Sequence, residues 1–193
     1  MVNDSVSLCA NCQKNPPPQD HSHCLFLYDA PIKQLLTQFK FQQKFAYGRL
    51  LGNLFASHLS DYYQQHPDDL PQVILPVPLS QQRLGERGFN QAERIAKPVA
   101  KELGLPILHS ACKRKRHTAP QLSLPAKERH KNLRNAFEIK ETLTVKGQPI
   151  EHLALIDDVI TTGATLESLT AEVKKKGVKT VTLWGLARTP LKI

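Results

Sequence analysis

No stretch of the 193-residue chain is apolar for long enough to cross a bilayer, and no basic-then-apolar leader opens it. Neither a membrane span nor a secretory signal is therefore expected. Cysteine is scarce. Of four residues, three (Cys9, Cys12 and Cys24) crowd the first two dozen positions and the fourth is Cys112. That usage argues against a disulfide framework and for a reduced, cytoplasmic setting. Internal repeats and low-complexity linkers are absent as well. The length fits one main domain with its own core plus a small appendage. We place the division after residue 28, with a Cys/His-rich segment over 1–28 and the main domain over 29–193.

Acidic residues are few where basic ones concentrate. The formal charge is +9. Residues 1–70 carry five basic and six acidic side chains, whereas 113–134 carry eight basic and one acidic. A local excess of this kind suggests an anionic partner, either nucleic acid or a polyphosphate. Lys113, Arg114, Lys115, Arg116, Arg129, Lys131 and Arg134 are the candidate contacts. The stretch from Lys113 to Gln121 reads as a loop, and Ala126 to Asn135 as a short basic helix. No aromatic residue interrupts this segment before Phe137, so base stacking within it is unsupported.

The most specific stretch is Leu153 to Thr165. Four apolar residues read as a buried strand, followed at once by Asp157 and Asp158 and a short polar turn. Leu166, Leu169 and Val173 then recur at helical spacing, with Gly177 placed as a C-terminal glycine. The loop lies at the carboxyl end of a strand, where open α/β sheets bind ligands. Thr161, Thr162 and Thr165 offer hydroxyls, Gly163 permits close backbone approach, and the helix N-terminus beyond offers N–H groups and partial positive charge. That is a cradle for a phosphate. Two carboxylates beside it would repel a phosphate, so they should face ribose hydroxyls or a metal. Together these features describe a ribose 5-phosphate.

Elsewhere the pattern alternates strands and helices. Ile32, Leu35, Leu36 and Phe39 mark an amphipathic helix from Ala30 to Lys44. A second runs from Ala46 to about Gln65, with Leu50, Leu51, Leu54, Phe55, His58 and Leu59 on its apolar face and His58 read as a packed histidine. Val73 to Pro78 is a short buried strand, with Leu79 to Arg83 as the turn after it. Ser80 and Arg83 form a second candidate anion site there, suited to a pyrophosphate. Arg87 to Glu93 leads into a helix with Ile95, Val99 and Leu103 inward and Pro98 inside it. Pro106 to Ala111 and Ala136 to Lys140 read as strands, Lys146 to His152 as a turn. Val178 to Ala187 is the next parallel strand, with Trp184 in the core. The fold class is α/β, an open, mostly parallel twisted sheet flanked by helices.

Cys9-x-x-Cys12 followed by His21-x-x-Cys24 can close a tetrahedral Cys3His zinc site, with His23 as a competing ligand. The residues leave that site and an arm with incidental cysteines equally open.

The Leu153–Thr165 run resembles the phosphoribosyl pyrophosphate (PRPP) signature of the phosphoribosyltransferases. The resemblance implies that Asp157 and Asp158 hold the ribose hydroxyls and that Thr161, Thr162, Gly163, Ala164 and Thr165 hold the 5-phosphate, with Mg2+ accompanying PRPP. Further pieces resemble the ComF/GntX family, phosphoribosyltransferase-like proteins linked to bacterial DNA uptake (natural competence): Cys9 to Pro18, Phe39-Lys40-Phe41, Leu75 to Leu79, Arg87 to Gln91, His117 to Gln121, Arg129 to Phe137, and the signature through Arg188. Members of that family usually carry another Cys-x-x-Cys pair upstream. The zinc module here is expected to be truncated, rebuilt with His21 and Cys24, or absent.

Two functions follow as expectations. One is transfer of phosphoribosyl from PRPP to an acceptor, with catalytic roles for Asp157 and Asp158; no residue identifies itself as the reader of a particular base. The other is a non-enzymatic single-stranded-DNA-binding competence factor that keeps the PRPP pocket as a sensor or structural site. Other DNA-uptake proteins are the expected partners.

Overall fold

The computed structural model describes residues 16–115, 136–140 and 142–190. Four strands form one parallel sheet in the order β1, β8, β7, β2. These are β1 (His21–Leu27), β2 (Val73–Pro76), β7 (His152–Ile160) and β8 (Thr180–Arg188). Alternation along each strand sends successive side chains to opposite faces. Val73, Leu75, Leu153, Leu155, Val181 and Leu183 enter one cluster, which α5 (Ala164–Lys174) covers with Leu166, Leu169 and Val173. Ile74, Ala154, Ile156, Trp184 and Leu186 enter the other. That face is covered by α1 (Ile32–Gln42), α2 (Phe45–Gln65) and α4 (Gln91–Leu103). Helices on both faces explain why the central strands read as continuous apolar runs.

Close helix packing on the second face depends on small residues. A Cβ at Gly52 of α2 would lie 2.7 Å from Pro98 Cγ of α4, so only glycine lets those helices meet there. Pro98 sits inside α4 without ending it. On α2 the buried stripe is Leu51, Phe55 and Leu59. Leu50, Leu54 and His58 are exposed, so the expected packed histidine is corrected: His58 lies on the solvent side.

Other expectations change as well. β7 does not stop at the acids; its ladder with β8 continues to Ile160 opposite Arg188. Backbone pairing is indifferent to side-chain polarity, so the loop begins at Thr161. The turn after β2 is instead a short helix, α3 (Gln81–Arg87), with Ser80 at its N-cap. The expected strand over Pro106 to Ala111 reduces to one bridge between Ile107 and Ile74, because Pro106 has no N–H to donate and Ser110 turns away at φ 57°. The basic loop begins with a strand: β3 (Cys112–Arg114) pairs antiparallel with β4 (Phe137–Ile139). β5 (Thr144–Val145), just ahead of the turn expected over Lys146 to His152, and β6 (Gln148–Pro149), inside it, form a hairpin. Finally, β1 is an edge strand of the central sheet, so the sheet starts upstream of the expected boundary after residue 28. The helix expected over Ala126 to Asn135 lies outside the described residues.

Candidate functional site

The carboxyl ends of β7 and β2 are neighbours in the sheet. Here the chain brings its acids and cations together. Asp157 and Asp158 sit near the end of β7, and the Asp157 Oδ1 accepts the backbone N–H of Asp158 at 2.8 Å. Burial first, and the adjacent Asp158 charge second, push the Asp157 carboxyl up to about 8. Asp158 is buried and answered by Lys40 of α1, whose Nζ stands 2.5 Å from Asp158 Oδ2. The two side chains are only 14% and 5% exposed, so this is an internal ion pair and not a surface one.

Three arginines from two other elements complete the charge pattern. Arg83 and Arg87 project from α3, and Arg114 comes from β3. Burial draws the guanidiniums of Arg87 and Arg114 below their ordinary value, while the Asp157 charge acts on both in the opposite sense and Asp158 acts on Arg87. Arg83 acts on both as a like charge. Arg87 Nη1 donates to Gln91 Oε1, at the first residue of α4. Asn90 caps α4 by accepting from the Ala92 N–H at 3.0 Å, and its Nδ2 donates to Val77 O at 3.0 Å. The Arg87 to Gln91 segment is thereby pinned to the exit of β2. Ser80 is buried, accepts from the Arg83 N–H at 3.4 Å, and bridges to Arg114 in the backbone.

The threonine loop follows β7 directly. Thr161 and Thr162 are exposed, Ala164 is buried and Thr165 is partly buried. Gly163 is the N-cap of α5 at φ 82°, a left-handed conformation that favours glycine, and it offers no side-chain acceptor to the first-turn N–H groups. A cavity of about 240 Å³ lies at the exit of β2, between α3, α4 and β3, lined by Leu84, Asn90, Glu93, His109, Lys113 and Arg114 among others. Arg114 is common to this cavity and the acid-pair cluster.

The sequence-derived residues thus divide. Asp157, Asp158, Ser80, Arg83 and Arg114 are brought together, with the Thr161–Thr165 loop following. Lys113 is exposed, and Lys115 pairs with Glu138 at 3.3 Å on the surface. Arg116, Arg129, Lys131 and Arg134 lie outside the described residues, as do Cys9 and Cys12. His21 and Cys24 both fall in β1, three apart in an extended strand, so their side chains leave opposite faces. His21 is exposed; Cys24 is half-buried against Gly185, and burial raises its thiol pKa. His23 packs edge-on against Tyr62, with ring centroids 4.3 Å apart. Sequence reasoning gave no site role to Lys40 or Arg87, although both fall within stretches that carry the family resemblance.

A divalent metal can be weighed against this donor set. Among the described residues no three His, Cys, Asp or Glu side chains converge as a metal site. Asp158 is already paired with the Lys40 ammonium, and burial together with its neighbour's charge pushes the Asp157 carboxyl upward. The residues present do not fit a protein-held Mg2+ at the acids.

These features define an open α/β domain that gathers cations around paired acids at the carboxyl ends of its strands. No family model matches the chain. It is 38% identical over 180 residues to competence protein F of Haemophilus influenzae, covering 93% of this chain and 78% of that protein. Identity to the DNA utilization protein YhgH of Escherichia coli K12 is 33% over 181 residues, covering 94% and 78%. To competence protein ComFC of Streptococcus pneumoniae it is 29% over 193 residues, covering 97% and 78%. The chain belongs to the ComF family, that of competence protein F. Among solved structures, a purine phosphoribosyltransferase from Pyrococcus horikoshii is similar at TM-score 0.40 and 14% identity, covering 89% of this chain and 90% of that one. A hypoxanthine phosphoribosyltransferase from Staphylococcus aureus is similar at TM-score 0.42 and 14% identity, covering 76% and 67%.

Proposed function

We propose that the chain binds PRPP across the carboxyl ends of β7 and β2. The reading is supported above all by cations from elements far apart in sequence meeting the acid pair: Lys40 of α1 on Asp158, and Arg87 of α3 and Arg114 of β3 in the field of Asp157. Asp157 and Asp158 would accept the ribose hydroxyls, the Thr161–Thr165 loop would take the 5-phosphate, and the arginines with Ser80 would take the pyrophosphate. In a transfer reaction the bond from ribose C1 to pyrophosphate breaks and a bond from C1 to the acceptor nucleophile forms. Pyrophosphate leaves with the electron pair, and fixed positive charge around it lowers the barrier. Mg2+ would then arrive on the phosphates of PRPP, consistent with its preference for phosphate and water over an all-protein cage.

The test is calorimetric titration with PRPP and an assay of pyrophosphate release over a panel of nucleobases and single-stranded DNA. An Asp157→Asn/Asp158→Asn double variant serves as the control. Acceptor-dependent release that dies in the double variant supports transfer; binding without release supports a sensor. No binding at all overturns the reading.

A second reading, single-stranded DNA handling in competence, is favoured by one observation. The aromatic residues absent from the basic segment are supplied by α1 and α2. Phe41 is 72% exposed with the Arg87 guanidinium 5.3 Å from its ring centroid, and Phe45 is exposed with Arg94 at 4.8 Å. Aromatic rings among cations suit unpaired bases on a phosphate backbone. Zinc at the N-terminus is a separate proposal carried by Cys9 and Cys12; equimolar zinc that is lost in Cys9→Ser would support it.

A further inference from the structure

An acid pair beside a phosphate site ordinarily invites a divalent cation, yet here the acids already hold a cation of the protein's own. Lys40 enters from α1 between Phe39, which is buried, and Phe41, which is exposed. Phe39 anchors the backbone by packing on Phe89 at 5.2 Å. The lysine stem is therefore held while its ammonium reaches Asp158 Oδ2 at 2.5 Å. We propose that Lys40 is the resident cation of the acid pair, a positioning residue that excludes divalent metal from Asp158 unless the metal enters on the ligand's phosphates.

The physical argument is a competition. A metal at Asp158 must displace the ammonium or sit beside it. It must also lose water to reach a pair already faced by positive charge from three elements: Lys40 from α1, Arg87 from α3 and Arg114 from β3. The anionic phosphates of a ligand change that balance, because they bring more negative charge than the acids alone provide. The inference concerns the acids themselves and stands apart from the PRPP reading.

The experiment uses Mn2+ alone as the probe, titrated into the full chain and followed by calorimetry and by the electron paramagnetic resonance signal of free Mn2+. Wild type and Lys40→Arg are expected to show no Mn2+ uptake that depends on Asp158. Lys40→Met removes the charge while keeping the stem, and is expected to gain one site. Its affinity should exceed that of wild type by about tenfold or more, and the site should vanish in Lys40→Met/Asp158→Asn. Stoichiometric Mn2+ binding by wild type, lost in Asp158→Asn, would overturn the proposal. So would a folded Lys40→Met that gains no site. The wild-type titration decides the matter even where a variant fails to fold, and since it contains no PRPP, its failure is distinct from a failure to bind PRPP.

Discussion

The Asp157 carboxylate accepts the N–H of its own neighbour, Asp158, so one acid of the pair orders the backbone that carries the other. This contact does not outweigh burial and the neighbouring charge, which lift the Asp157 pKa to about 8 from an ordinary value of 3.8. Between those two values the folded state holds a proton that the unfolded chain has lost. Stability therefore falls as pH rises from about 4 to about 8, and this contribution levels off above. Asp157→Asn should flatten that limb and make the protein relatively more stable at alkaline pH. Urea midpoints at pH 5, 6, 7, 8 and 9 check it; equal slopes for the two proteins would refute the assignment.

Deep in the second cluster, the indole N–H of Trp184 donates to the Tyr63 hydroxyl at 3.1 Å. Both side chains are buried, so removing the acceptor leaves the indole unsatisfied. Tyr63→Phe should cost about 1–3 kcal/mol. The chain has one tryptophan, so its emission reports this site alone. A lower urea midpoint together with a shifted native emission spectrum is expected, whereas an unchanged spectrum would mean that the bond is not maintained in solution.

The strand, loop and helix around Asp157 were legible because their signal is local. Apolar residues run up to Ile156, threonines and a glycine follow, and Leu166, Leu169 and Val173 repeat at helical spacing. The true end of β7 was hidden, since the ladder to β8 is made by backbone and carries on through residues whose side chains look like a strand terminus. Lys40 was hidden for a different reason. Within α1 it is one lysine on an amphipathic helix, and only the folded chain sets it against Asp158. The apolar face of α2 was drawn too wide because two adjacent stripes are apolar: Leu51, Phe55 and Leu59 are buried as read, while Leu50, Leu54 and His58 face out.

Gly185 of β8 lies opposite Asp157 on β7 and opposite Cys24 on β1. A Cβ there would stand 2.6 Å from Ile160 Cδ1 and 3.0 Å from Cys24 Sγ. Gly185→Ala should therefore destabilise the fold by about 1–3 kcal/mol through overpacking. Adding Ile160→Val removes the nearest atom and should restore part of the loss. A double-mutant cycle on unfolding midpoints measures the coupling; simple additivity would show that the methyl is accommodated elsewhere.

Phe41 separates the two functional readings. Its ring is stacked by Arg87 yet remains open to solvent, and Lys44 beside it is exposed. If an unpaired base rests on that ring, Phe41→Ala removes stacking and leaves phosphate contacts intact. Affinity for a labelled oligothymidylate should then fall by roughly 5- to 150-fold, the equivalent of ~1–3 kcal/mol for one stacked base. The dependence of binding on salt should stay the same. Lys44→Ala should do the reverse, weakening binding modestly and shallowing the salt slope by about one unit. Fluorescence anisotropy at several salt concentrations distinguishes the two variants. Equal affinities for wild type and Phe41→Ala would remove the aromatic ring from any role in DNA binding, and the case for a nucleic-acid ligand would rest on charge alone.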